Sequence, residues 1–254
     1  SLAYIDGAPV QGLDVNHWEI LLKPEWMEAG EIQLAIKSWS GLQDELRWFT
    51  KAALVRINEE AEDFYFRAAT MLAAIRMLAE NDLTRINLIN ILNKAINATD
   101  FRRPGSAEFY ASIAKANEQL RADLAACKAE SGRTPTVIAV GHSHIDVAWL
   151  WRLKHTREKS SRTFSTVNYL MDQYPEYQFL QSQPQLYEYI KHDYPEIYAR
   201  IKENIRAGRW EVTGGMWLEA DCNVTSGESL VRQFLMGQKF MEEEFGIRSR
   251  VLWL

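Results

Sequence analysis

The chain is 254 residues long, 47% hydrophobic and 25% charged, with 29 basic against 34 acidic side chains and a formal net charge of −5. This is an ordinary globular composition with room for one sizeable domain or two smaller ones, and without a basic excess nucleic acid is not expected as a partner. No stretch approaches the ~20 consecutive apolar residues of a spanning helix, and SLAYIDGAPVQG lacks the basic and apolar regions of a signal peptide, so no membrane partner is expected. Two cysteines, Cys127 and Cys222, are too few for a disulfide framework, which points to a reducing compartment, the cytoplasm.

In chain order, residues 1–40 read as a small N-terminal β element. Short apolar stretches are broken by GAP and KP, and Ile32–Trp39 alternates as a strand does. Residues 41–130 read as a helical subdomain. Its first helix is expected across 44–80, where apolar residues recur at helical spacing without Gly or Pro. A second helix follows over 81–97 with Asn81 or Asp82 as cap. A third spans 106–130, where Ser106 and Glu108 suit the positive end of the helix dipole. The plainest role for such a bundle is scaffold or interaction surface.

Residues 131–254 change character. After the breaker cluster SGRTP, the β-branched run Thr136–His142 predicts a buried parallel strand. Further strands are expected at YQFLQSQ from Tyr177, RWEVTGGMW from Arg209 and RVLWL from Arg250, with helical text over 155–174, 184–208 and 226–246. Strand and helix alternate at intervals of roughly 35 to 40 residues, the pattern of βαβ units in a parallel sheet. The fold class is therefore α/β: an incomplete parallel-sheet catalytic domain behind a helical subdomain and a short β element. Because RVLWL reads as a buried strand with nothing after it, the chain is expected to be a piece of a longer protein.

Active sites of parallel α/β folds gather at the C-terminal ends of strands. Two such ends carry chemistry here. In GHSHIDVAWLW (141–151), His142, His144 and Asp146 are spaced two apart, so that an extended chain points them to one side and an imidazole and a carboxylate can share an ion. In EVTGGMWLEADCN (211–223), Gly214 and Gly215 permit close approach, and Glu219 and Asp221 form a pair of carboxylates beside Trp217. The bland counterpart of the second segment is an acidic loop leading to a helix capped by Thr225 or Ser226, with Glu228 in its first turn.

HSHIDVAWLW, GGMWLEADCN and the closing VLWL together resemble glycoside hydrolase family 38, the retaining α-mannosidases, and most closely its bacterial and cytosolic or vacuolar branch. The resemblance covers at least residues 135–254. It implies an α-mannosidase acting on α-mannoside oligosaccharides, with zinc (or cobalt) held by His144, Asp146 and Asp221. Asp221 would also be the catalytic nucleophile, and Trp149 would bind substrate by stacking under the sugar. Relative to the Golgi and lysosomal branches, this chain has Val147-Ala148-Trp149 in place of Pro-Gly-Trp and Glu219-Ala220-Asp221 around the nucleophile, differences that bear on substrate range. In the family a fourth ligand, a histidine, and the acid/base carboxylate lie downstream of this region, so these residues alone are expected to be inactive. His142 reads equally as a supporting or a structural histidine, and Arg232 as a surface residue ahead of a role in balancing the carboxylates.

Two other readings compete. His142-x-His144 after a first strand also suits an amidohydrolase-like metal hydrolase, although no histidine follows at the later strand ends. A non-catalytic carbohydrate-binding or interaction module, with the helices as an oligomerisation surface, is the second, and homo-oligomers are compatible with either.

Overall fold

The computed structural model describes residues 1–39, 48–49, 51–130 and 136–253, with the side chains of 129 and 130 excepted. The described chain is a mixed α/β protein. Residues Ser1–Leu46 and Ile138–Leu254 make one compact unit and Arg47–Val137 a second.

The N-terminal text folds into a small antiparallel sheet. Strands β1 (Leu2–Ile5) and β2 (Ala8–Gly12) form a hairpin across Asp6-Gly7, both at positive φ (50° and 84°), the combination a two-residue turn demands. After the short helix α1 (Pro24–Glu28), strand β3 (Leu34–Lys37) pairs with β1, giving the order β2-β1-β3. Ala3, Ile5 and Val10 bury one small core against Leu22, Trp26 and Ile32. In the same unit β2 lies on helix α5 (Leu153–Gln173), where the Thr166 hydroxyl donates to Gly12 O at 3.3 Å. A Cβ on Gly12 would come within 2.3 Å of Arg162 O, so only glycine allows this approach.

In the second unit, helices α2 (Glu59–Met77), α3 (Leu83–Asn97) and α4 (Ala107–Glu130) enclose Phe64, Met71, Ile75, Ala95, Ile113, Ala116 and Leu120. Asp82 caps α3 by accepting from Thr84 N, and the Ser106 hydroxyl accepts from Phe109 N ahead of α4. Asp63 on α2 accepts from Arg67, Asn117 and Arg121, an arrangement led by the Arg67 contact that holds its carboxyl well below the usual range. The first helix is shorter than its periodicity predicts. Residues 51–58 are non-helical and the helix begins after Asn58, whose side chain accepts from Ala61 N. Leu54 and Val55 are exposed, so among the described residues no packed face sustains the helix there, and tertiary contact supplies most helix stability. The expected helix over 44–50 falls largely outside the described residues.

The remainder of the first unit holds a parallel sheet, β4-β5-β6, of β4 (Gly141–His142), β5 (Phe179–Gln181) and β6 (Trp210–Val212). Helix α5 joins β4 to β5. Helices α6 (Pro184–Asp193) and α7 (Pro195–Arg206) join β5 to β6, and α8 (Gly227–Phe245) follows β6. Phe164, Phe179, Tyr187 and Trp210 stack in the core between sheet and helices, with Leu186, Ile190, Ile201 and Met241 fully buried around them.

The structure departs from the sequence expectations at three further places. The strand over 136–142 narrows to Gly141–His142: Val137 and Ile138 are more than 80% exposed and, among the described residues, have no strand beside them. Residues 251–253 are not a strand; Trp253 N donates to Gly214 O at 3.2 Å without a ladder forming among the described residues. The helical text over 184–208 is two helices, because Pro195 forces Tyr194 out of the helical region (ψ 70°). Of the caps proposed for α8, Ser226 takes the role, accepting from Ser229 N at 3.2 Å.

Candidate active site

The parallel strands place three loops at one edge: residues 143–151 after β4, Ser182 and Gln183 after β5, and 213–221 after β6. Their main chains are pinned. The Gln183 side-chain amide donates to Ile145 O at 3.1 Å. Trp151 Nε1 and the Thr156 hydroxyl both donate to Asp146 O, each at 3.2 Å. The third loop turns at Gly214 and Gly215, at φ 95° and 78°, and a Cβ on Gly214 would lie 2.8 Å from the Ser182 Cβ. Trp217 N then donates to Gln233 O and Leu218 N to Gln233 Oε1, tying the loop to α8. These bonds immobilise the backbone from which the polar side chains project.

At the centre is Glu219, a loop carboxylate whose side chain is only 4% exposed. Its Oε2 contacts His144 Nδ1, its Oε1 accepts from the Ser182 hydroxyl, and His142 Nε2 lies 3.7 Å from Oε1. His144 also turns Nε2 toward Asp146 Oδ1 at 3.2 Å. Burial opposes protonation of His144, but Glu219 and then Asp146 outweigh it and raise its pKa. His142 moves the other way, burial lowering its pKa against the pull of Glu219, and its ring packs on Trp253 at 4.5 Å.

Of the residues singled out in the sequence, His144 and Asp146 come together. Asp221 does not join them in this arrangement: it lies exposed in the third loop, where its Oδ1 accepts from Asn223 N and its carbonyl accepts from Thr225. Trp149 is 66% exposed, its ring edge-on to Trp151 at 5.4 Å, and so presents an open aromatic surface. His155 and His192 serve their own helices, His155 accepting from Arg152 N and His192 contacting Glu188. Arg232 pairs with Glu228 on the α8 surface. Ser182 and Gln183 carry no motif, and their only sequence signal is a pair of polar residues directly after a buried strand.

The donor chemistry at this edge suits zinc in part. Tetrahedral zinc with bonds of 2.0–2.1 Å sets its donor atoms about 3.3 Å apart. His144 Nε2 and Asp146 Oδ1 match that spacing and join an imidazole to a carboxylate, as a borderline cation prefers. Among the described residues, however, no group of three or more His, Cys, Asp or Glu side chains is arranged to hold a metal ion. The fit is therefore that of a two-residue seat.

Comparison with known proteins adds the family. Residues 134–254 match the family described as "Glycosyl hydrolases family 38 N-terminal domain". The whole chain is 34% identical to "Alpha-mannosidase G" of Dictyostelium discoideum, over 24% of that protein's length. About half of it (47%) is 46% identical to human "Alpha-mannosidase 2C1", covering 11% of that protein. A similar share (49%) is 41% identical to "Alpha-mannosidase" of Saccharomyces cerevisiae, covering 12%. The chain thus spans a quarter or less of the length of these relatives.

Proposed function

We propose, from the membership of residues 134–254 in glycosyl hydrolase family 38, that the protein containing this chain is a zinc-dependent retaining α-mannosidase acting on α-mannosyl oligosaccharides. The observation that carries the reading is the coincidence of the family match with a His-x-Asp pair at donor spacing on a strand end, His144 and Asp146. Asp221, which stands apart from that pair in this structure, is assigned as third ligand and nucleophile on the motif resemblance, its loop leaving the same sheet edge after β6. Two free cysteines, Cys127 and Cys222, favour the cytoplasm. Among the described residues no helix is long and apolar enough to cross a membrane.

A retaining glycosidase uses two carboxyl groups about 5–5.5 Å apart, one attacking the anomeric carbon and the other donating and then accepting the proton. Asp221 supplies the first: its carboxylate forms a bond to the anomeric carbon as the bond to the leaving oxygen breaks, and water then releases the sugar with retained configuration. The second carboxyl and a further histidine ligand are assigned to parts of the protein outside these 254 residues, which alone should be inactive. His144 and Asp146, with Asp221, would hold zinc; bound there, it would polarise substrate hydroxyls and orient the nucleophilic carboxylate. The exposed face of Trp149 offers apolar area for the sugar ring.

The test is hydrolysis of an aryl α-mannoside by the full-length protein, with the product anomer read by NMR. Retention is expected, with a loss on the order of 10³-fold or more in kcat for Asp221→Asn. An inverted product, or an unchanged rate in that variant, would overturn the mechanism.

A further inference from the structure

We propose that Glu219 is a positioning residue for His144, fixing which of its ring nitrogens is free to bind a cation; this rests on the metal-dependent reading above. Glu219 follows β6 in a loop whose neighbours Asp221 and Asn223 are exposed, yet its own carboxylate is buried. A carboxylate is withdrawn from water only where partners compensate it. Here the partners come from both other strand ends: the Ser182 hydroxyl after β5 on Oε1, and His144 Nδ1 after β4 on Oε2. One side chain therefore ties all three loops together.

The consequence for His144 follows from proton counting. A neutral imidazole has one N–H, and an ionised carboxylate can only accept. Contact with Glu219 is favourable only when Nδ1 carries that proton, which leaves the lone pair on Nε2. That lone pair faces Asp146 Oδ1 at 3.2 Å, and two acceptors so placed repel unless a positive species lies between them. A proton can fill the place by making imidazolium, and a divalent cation can fill it instead. Glu219 thus selects the metal-binding tautomer from behind, while Asp146 supplies the second donor in front. The Gln183, Trp151 and Thr156 bonds to the 145–146 carbonyls hold both residues in that register.

The experiment measures zinc affinity by chelator competition, and the visible spectrum after cobalt loading, in the full-length protein and in Glu219→Ala, Glu219→Gln and His144→Ala. Glutamine preserves the pattern, since its carbonyl accepts from His144 and its amide donates to Ser182. Expected are a loss of about 10- to 100-fold in affinity with an altered cobalt spectrum for Glu219→Ala, and recovery of most of that loss with the native spectrum for Glu219→Gln. Wild-type affinity in Glu219→Ala alongside lost binding in His144→Ala would overturn the role of Glu219 while leaving the metal reading intact. Equal losses in the Ala and Gln variants would overturn the tautomer argument. Absence of zinc binding in the wild-type protein would overturn the metal reading itself. Should Glu219→Ala fail to fold, Ser182→Ala removes the other bond on the same carboxylate, and several-fold weaker zinc binding is expected; unchanged affinity there would count against the proposal.

Discussion

Replacing Gly237 by alanine separates local preference from tertiary packing. Within a helix the change normally helps, by roughly 0.5–1 kcal/mol. Gly237 lies on the face of α8 that meets the third site loop, and an alanine Cβ there would sit 2.4 Å from Met216 C, 2.5 Å from Gly215 O and 2.7 Å from Met216 O. Carbon contacts prefer about 3.5–4.0 Å, so helix and loop would have to part by roughly 1 Å. The obstructing atoms are backbone, and no rotamer change can relieve them. One turn earlier, Gln233 binds Trp217 N and Leu218 N, so the same movement stretches two hydrogen bonds. Overpacking costs about 1–3 kcal/mol and a weakened hydrogen bond up to about 1 more, against the helix gain. The net expectation is a destabilisation of about 2 kcal/mol, or a fall in Tm of roughly 4–8 °C. Gly227→Ala, at the first position of the same helix with nothing within 4 Å of the new methyl, is the matched control and should gain about 0.4–1 kcal/mol. Scanning fluorimetry of the three proteins reads both signs. A Gly237→Ala protein as stable as wild type would refute the close approach of α8 to the loop.

Two further perturbations test the packing that carries the site. Trp210→Phe removes the indole N–H bond to the Tyr187 hydroxyl (2.7 Å) and leaves space in a fully buried cluster; a loss of about 1–3 kcal/mol is expected in urea unfolding, and an unshifted midpoint would contradict it. Burial disfavours ionisation of Glu244, but hydrogen bonds from Lys191, Tyr198 and Lys202 outweigh it and hold the carboxyl down at about 2. Its contribution to stability is therefore complete above the ordinary carboxylate pKa and drains away as pH falls from about 5 toward 2. Glu244→Gln should flatten the stability profile across that window, and parallel profiles would show that the cluster is not coupled to folding.

Much of this was legible in local sequence. The βαβ order, the caps at Asp82 and Ser226, and the His-x-Asp strand end are short-range signals, set by hydrogen-bond geometry within a few residues. At 51–58, 136–140 and 251–253 the apolar pattern is not matched by regular structure, because an apolar run takes it only when another element covers it, and among the described residues none does so there.

The site divides along the same line. The residue types, their two-residue spacing and their placement after β4 and β6 are properties of the chain, and they sufficed to suggest a cation site; the glycosidase reading is what the resemblance of the motifs to a family implies. Which carboxylate lies behind His144 was decided by tertiary structure. By residue type and local spacing alone Glu219 and Asp221 are equivalent, two residues apart in one acidic loop. The positive φ at Gly214 and Gly215 and the clamp of Gln233 turn the loop so that Glu219 points into the sheet edge toward Ser182 and His144. Asp221, past the last of those restraints, remains with its own turn. Burial of a charge depends on partners 37 and 75 residues away, and no local pattern encodes those distances.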